Sequence, residues 1–412
     1  MATKLDANKF TYGGHGLAGW SLSPTGGHDY EDQDTVTLTS DTKLYAVWAR
    51  QYSITVNNVE HGNLTPAKTS YLVSNRLQMI KLSITPGEGY FLSGVALTDS
   101  GNESAYYEFH SLFIPMNSEG DIVITPSFDT KPASVDYMDV TWSSSVLVTI
   151  PKQVTDFSLV RANNTSWSTG YYVLWDDVII TDRITVTGDV KLILRDEKTL
   201  KADKGITVQD GATLTIYGQT ISDAGRLEIN GDSECAGIGG TSNSDCGTVE
   251  IKGGVIEVTG GSDSAGIGGG YEGNGGTVNI YMGTVTAKGG VNAAGIGGGY
   301  AGSGGTVNIY GGRVTAEGSL GGAGIGGGYG RAGADVSIYG GKLSITGGSG
   351  EIQMSEYIHC KAIGAGYYCD PVDDDKALNN YIGDMLETRG YDETVWHDYD
   401  GTRLHQIMTV NY

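Results

Sequence analysis

The stretch AGIGGGYEGNGGTVNIY at residues 265–281 recurs as AGIGGGYAGSGGTVNIY at residues 294–310, and the reading of this pair decides the fold. Gly268, Gly270 and Gly273 satisfy the spacing G-x-G-x-x-G, and Gly297, Gly299 and Gly302 repeat it. That fingerprint binds a dinucleotide only where the glycine turn opens a helix whose N-terminus meets the pyrophosphate. Here each turn leads into Thr-Val-Asn-Ile-Tyr, a β-branched and aromatic run soon closed by another glycine. No helix starts in such a segment, so the phosphate reading fails.

The repeat extends in both directions. Ala236, Ala265, Ala294 and Ala323 each begin an AGIGG block, 29 residues apart every time. The strand-like runs TVEIK, TVNIY, TVNIY and DVSIY, starting at Thr248, Thr277, Thr306 and Asp335, keep the same step, and VIEVT, TVTAK, RVTAE and KLSIT follow them. Upstream, ITVTGDVKLIL from Ile184 and ITVQDGATLTI from Ile206 are offset by 22, which matches Val186 to Val208, Leu192 to Leu214 and Leu194 to Ile216. Short alternating strands broken by glycine turns at a fixed period predict one solenoid coil per repeat. A step near 22 residues with three short strands per turn fits a parallel β-helix, expected to be right-handed, and the 29-residue steps fit the same coil with longer loops. Strands of successive coils then stack about 4.8 Å apart. Val278 and Ile280 face inward; Thr277, Asn279 and Tyr281 face out. Glycine serves the corners, where positive φ and close backbone approach are needed.

Composition agrees. Gly is 65 of 412 residues against 8 Pro, without the period of collagen and with Val, Ile and Tyr threaded between the glycines. Lys plus Arg is 26 against 48 acids, a net charge of −22, which repels phosphate backbones and anionic membranes and argues against a nucleic-acid partner. No run of about 20 apolar residues exists to span a bilayer. MATKLDANKF carries no apolar signal core, so any export or anchoring segment is expected to lie outside this chain.

The cysteines follow the repeat. Cys235 immediately precedes the first AGIGG, Cys360 precedes its degenerate last copy, and Cys246 and Cys369 come after the respective corners. Local disulfides Cys235–Cys246 and Cys360–Cys369 are predicted, with four free thiols as the alternative; zinc is the poorer account of these spacings. At the far end, Ala377, Leu378, Tyr381, Ile382, Met385 and Leu386 fall on one helical face after Asp373, Asp374 and Asp375. This predicts a short helical cap over about 370–412. The three acids could bind Ca²⁺, although a solvated helix start is the blander account; no other cofactor is implied.

The first third is different. LDANKFTYGG, GLAGWSLSPTGG and TVTLTSDTKLYAVW carry Leu5-Asp6-Ala7-Asn8, Ala18-Gly19-Trp20-Ser21, and Leu38-Thr39-Ser40-Asp41-Thr42 through Leu44-Tyr45-Ala46-Val47-Trp48. This pattern resembles the Listeria–Bacteroides repeat, the internalin B-repeat module of bacterial surface proteins. Lys9-Phe10 stands where the family has a double glycine. Residues 51–128 look like a second, divergent copy, through YSITVNNVEHGNLTP, IKLSITPGEGYFLSGVAL and DIVITPSF. Trp20 and Trp48 are expected to supply most of the first module's small core. The resemblance implies two stalk modules, residues 1–50 and 51–128, a linker near Asp129–Ser134, and an extracellular, wall-attached or secreted bacterial protein. The glycine coils also resemble those of uncharacterised Gram-positive surface proteins. The whole is all-β: two modules, then a β-helix over 135–412.

For chemistry, Glu250 and Lys252 share a coil, but such a pair is more often a surface salt bridge than a catalytic one. No H-E-x-x-H or G-x-S-x-G occurs. Binding has more to offer. Tyr281, Tyr310 and Tyr339 form an outward ladder beside Asn279 and Asn308, and Tyr271, Tyr300 and Tyr329 form a second one after the glycine corners. Exposed rings on a rigid axis can stack on sugar faces while amides hydrogen-bond, which points to an adhesin that binds a polysaccharide or a host glycan or protein as a monomer. The same periodicity is equally expected if the rings and amides merely stack on one another between coils. A polysaccharide lyase or glycosidase, and a plain spacer, are the remaining readings.

Overall fold

The computed structural model describes residues 2–37, 41–99, 105–108, 110–220, 224–352, 356–359, 363–366, 378–381, 385–390, 393–399 and 404–409. Every regular element among them is a strand. The chain divides into two units, Met1–Pro132 and Ala133–Tyr412.

In the first unit, strand Tyr45–Val56 runs unbroken through residue 50. It pairs antiparallel with His15–Ser21 on one side and parallel with Ile122–Thr130 on the other. The first fifty residues therefore share a sheet with the segment after them. The core lies between this sheet and a second one built from Gly62–Pro66, Gln78–Pro86, Ser111–Ile114 and Tyr106–Glu108; Ile54, Leu64, Ile80, Leu112, Ile122 and Ile124 fill it. Trp20 and Trp48 are only half-buried and belong to no closed core. Trp20 instead donates its indole N–H to Asp32 (3.2 Å) and meets Phe10 edge-on, while Trp48 packs on Tyr12. A single layer of short strands offers these rings a surface, not an interior.

The second unit is a parallel β-helix. Each coil contributes one strand to each of three sheets, as in Thr277–Ile280, Thr284–Lys288 and Ile296–Gly297. Its inward residues Val278, Ile280, Val285, Ala287 and Ile296 are fully buried. At about 1.5–3 kcal/mol for each large aliphatic side chain removed from water, one coil's core is a strong reason to stack but cannot close by itself, so copies must follow one another. The pairing keeps the 29-residue step: Ile238, Ile267, Ile296 and Ile325 lie side by side, as do Val249, Val278, Val307 and Val336.

Glycine is required at the corner itself. Gly268 and Gly297 adopt φ of 138° and 137°, and a Cβ on either would sit 2.0 Å from the carbonyl oxygen of the next corner. The first corner has no glycine corner beneath it. There the half-buried Arg183 guanidinium donates to the carbonyls of Lys204 (2.6 Å) and Ala236 (2.9 Å) and to the Thr207 hydroxyl (2.6 Å). At the N-terminal end of the core, Trp167 is buried and stacked on Tyr172, and its indole donates to the Asn164 carbonyl.

Two expectations need correction. Of the two strands in each of the upstream segments compared, the first keeps the step of 22, Ile184 to Ile206. In the second the step is 24, so Leu192 lies beside Ile216 and Val190 beside Leu214. Gln209–Ala212 is a turn two residues longer than Thr187–Gly188, and a shift of two keeps every side chain on its own face. The other is the helical cap. Leu378–Tyr381 adds in parallel to Asp335–Ile338, Met385–Gly390 adds to Lys342–Thr346, and Glu393–Tyr399 and Leu404–Thr409 continue antiparallel. An open parallel sheet ends in a row of unpaired backbone donors and acceptors, which a strand satisfies and a helix does not. Gly383, inside the helical pattern, was the sequence sign against a helix.

Candidate functional site

Both tyrosine ladders exist. Tyr281, Tyr310 and Tyr339 stack at 4.7 and 5.0 Å with planes 13° and 6° apart. Tyr271, Tyr300 and Tyr329 stack at 5.4 and 5.5 Å, 4° and 12° apart. Near-parallel rings this close overlap face to face with an offset. The faces that a sugar would need are turned toward the neighbouring rings. The amides behave likewise, Asn308 donating to the Asn279 side chain at 2.9 Å. Coil-to-coil stacking accounts for the spacing of these residues, and the middle rings Tyr300 and Tyr310 are stacked on both faces.

The first ladder is also covered. Val135–Ser143 and Val146–Val154 form an antiparallel hairpin closed by Ser144 and Ser145, at φ of 50° and 64°. Two consecutive left-handed residues give the turn the twist a tight hairpin needs. The hairpin lies along the outside of the sheet that carries the ladder. Its Trp142 ring is 5.4 Å from both Tyr310 and Tyr339. Its Tyr137 packs on Tyr217 at 4.8 Å and shares a 3.1 Å hydrogen bond with Tyr171. Between these anchors Asp139, with 8% of its side chain exposed, binds Lys152 and accepts from Lys252 at 2.8 Å; the Lys252 ammonium also lies 5.2 Å over the Tyr281 ring.

Electrostatics report the same cover. Burial raises the Asp139 carboxyl, but the hydrogen bonds and charges of Lys152 and Lys252 outweigh it and hold the group below its usual 3.8. Burial, with Glu250 and Tyr310 nearby, pushes the Tyr281 phenol up to about 12. Glu250 and Lys252 do not meet: Glu250 accepts from Thr215 at 3.3 Å and Lys252 is held by Asp139.

Beside the hairpin runs a groove of about 1190 Å³. One wall is the hairpin face bearing Met138, Val140, Trp142 and Leu147. The floor is the turn between two sheets, which presents Gly253–Gly254, Gly283, Gly311–Gly312 and Gly340–Gly341 coil after coil. Leu147 reaches over it so closely that a Cβ on Gly311 would lie 2.6 Å from its methyl. The far wall is a ladder position occupied in turn by Thr199, Arg226, Val255, Thr284, Arg313 and Lys342. Tyr310 and Tyr339 keep an edge on the groove. Sequence reading missed it because the wall and the coils are far apart in the chain; the signal was the alternation of VDYMDVTW and VLVTI around Ser144-Ser145, which marks a hairpin without saying what it covers.

The cysteine pairing is corrected as well. Cys235 and Cys246 are free thiols. Cys246 points into the stacked aliphatic core, where burial pushes its thiol up to about 12, whereas Cys235 is half-buried at the corner's entry. Cys360, Cys369 and the acids Asp373, Asp374 and Asp375 lie outside the described residues. Among the described residues no group of three or more His, Cys, Asp or Glu side chains is placed to hold a metal, and no helix is long and apolar enough to cross a membrane.

Against known families, a model for the beta helix repeat matches residues 249–271, 278–300 and 307–329, three of the 29-residue coils. No curated protein and no solved structure matches the chain.

Proposed function

We propose that this chain is an adhesin-like protein of a bacterial cell surface, whose β-helix holds an elongated glycan without turning it over. The groove between hairpin and coils carries this reading. It is long, open, walled by an aromatic and aliphatic face, and floored by glycine backbone whose polar groups are within reach of a ligand, the mixture that sugar chains use. The coils beneath it are locked by stacking, so little ordering accompanies binding. The ladder tyrosines serve as the support of the hairpin wall, with Tyr310 and Tyr339 reaching the groove by their edges. The internalin B-repeat resemblance of the first third fits a stalk that presents such a surface outside the cell. Glu250 and Lys252 on the ladder face are engaged elsewhere, which favours binding over lysis or hydrolysis.

The test is a polysaccharide-binding screen of the full chain beside Thr284→Trp, which puts a large ring on the groove's far wall at an outward, half-buried position. Binding by the wild type that falls at least tenfold in the variant, with melting unchanged, supports the groove. Equal binding by both proteins, or no binding by either, overturns it, the second result leaving a structural spacer.

A further inference from the structure

The chain is acidic, yet its groove is not. Among the described residues five Lys and Arg side chains line it, Lys198, Arg226, Lys252, Arg313 and Lys342, against the single acid Glu197. Three of the cations are engaged: Lys198 with Asp176 at 3.3 Å, Lys252 with Asp139 at 2.8 Å, and Arg226 with Glu257. The other two are not. Arg313 and Lys342 are exposed, lie side by side on adjacent strands, and have no ion pair among the described residues. They stand on the wall facing the hairpin, at the end of the groove where Trp142 meets Tyr310 and Tyr339.

Resting on the groove reading above, we infer that the ligand is a polyanionic glycan, a linear chain bearing carboxylate or sulfate groups, with its anionic groups on Arg313 and Lys342 and a sugar face toward Trp142 and Leu147. Guanidinium and ammonium groups take carboxylate and sulfate oxygens through charge-assisted hydrogen bonds. Adjacent cations one strand spacing apart, about 4.8 Å, serve successive charges along a polymer rather than one isolated ion. The net charge of −22 does not oppose this locally. At physiological ionic strength fields decay over about 8 Å, so distant acids are screened while the groove's own cations act at contact. A sugar is favoured over a nucleic acid because the single aromatic side chain of the hairpin wall is already packed against two tyrosines, leaving no row of free platforms for bases. A bare polyphosphate would leave the apolar wall unused.

The experiment measures affinity of the full chain for dextran, carboxymethyl-dextran and dextran sulfate of equal length across a salt series, with single-stranded DNA and polyglutamate as further arms. The proteins are the wild type, Arg313→Gln/Lys342→Gln and Thr284→Trp, each checked by thermal melting. Expected are binding of the charged dextrans at least tenfold tighter than of dextran, affinity falling as salt rises, and a loss of about tenfold in the double variant with unchanged melting. Charged and neutral dextrans binding alike, with Thr284→Trp still blocking both, would sink the polyanion assignment and leave the groove standing. Binding untouched by Thr284→Trp, or absent for every probe, would remove the groove and the polyanion together. DNA or polyglutamate binding as tightly as the charged dextrans, and lost in the same variants, would overturn the assignment to a glycan.

Discussion

Two rows of tyrosine climb this β-helix with one period and nearly one geometry, and they have different surroundings. Tyr271, Tyr300 and Tyr329 follow the glycine corners, each backbone N–H donating to the preceding coil at Glu234, Asp263 and Asn292. Tyr281, Tyr310 and Tyr339 carry a hairpin with an aromatic anchor at either end and a carboxylate between two lysines in the middle. The stacking within each row is the same, so period and ring spacing report only that coils lie on coils. What distinguishes the rows is a segment that occurs once. A repeat reveals its scaffold, and whatever the scaffold is used for is to be sought where the repeat is interrupted or covered.

The largest effect should come from the element both rows share. Gly297→Ala forces a side chain onto a backbone at φ 137° and into a carbonyl oxygen 2.0 Å away, with no flexible neighbour to yield. The expected loss is on the order of 3 kcal/mol or more in denaturant unfolding, with both rows disturbed together. Gly330→Ala makes the control. Its φ is 73° but nothing lies within 4 Å of the new Cβ, so only the conformational cost of about 1 kcal/mol remains. Equal costs at the two positions would mean that the corner is not close-packed, and the comparison between the rows would lose its common base.

An intermediate effect should separate the rows. Asp139→Ala leaves Lys252, only 11% exposed, without its partner beneath the hairpin. A fully buried broken pair costs about 3–5 kcal/mol; with Lys152 nearly half exposed, about 2 kcal/mol is expected here. The wild type should show the same weakness in acid. Because the folded Asp139 carboxyl titrates below its ordinary 3.8, its contribution is complete above that value and is lost as pH falls through the lower folded one. Hydrogen exchange in residues 135–154 should therefore quicken below about pH 4 while the coil strands stay protected. Coil strands and hairpin opening at one pH would show that the cover is not a separate layer.

The sequence reached as far as local rules reach. Val278 and Ile280 alternate inward because a strand has period two, and the AGIGG corner is required by the approach of one backbone to the next; both are legible in a single repeat. The hairpin face of the groove was not, because alternation around Ser144-Ser145 specifies pairing between Val135–Ser143 and Val146–Val154 but not the surface they lie on. Nor was the basic far wall, since Arg313 and Lys342 become neighbours only once the 29-residue step is folded, and Arg226 stands in their row three such steps before Arg313. Leu378, Tyr381 and Met385 misled for the converse reason. Apolar residues three and four apart suit a helix, but two short strands that extend existing sheets use the same residues, and the open sheet edge favours the strands.

The smallest effect is the sharpest. Tyr300→Leu removes one ring from the uncovered row and keeps much of its apolar bulk, so only the two stacking contacts are lost, a cost of about 1 kcal/mol. Tyr310→Leu removes two equivalent contacts together with the support of Trp142, and about 2 kcal/mol is expected. A double-mutant cycle with Trp142→Leu isolates the difference. Tyr310 should show a coupling to Trp142 of about 0.5–1 kcal/mol, and Tyr300 should show none, since the two rows follow different strands of the coil. Coupling at Tyr310 beside additivity at Tyr300 would establish that the hairpin draws its position from one row alone. Additivity at both would mean that Trp142 merely rests near the rings and that the wall of the groove is held by Asp139 and Tyr137.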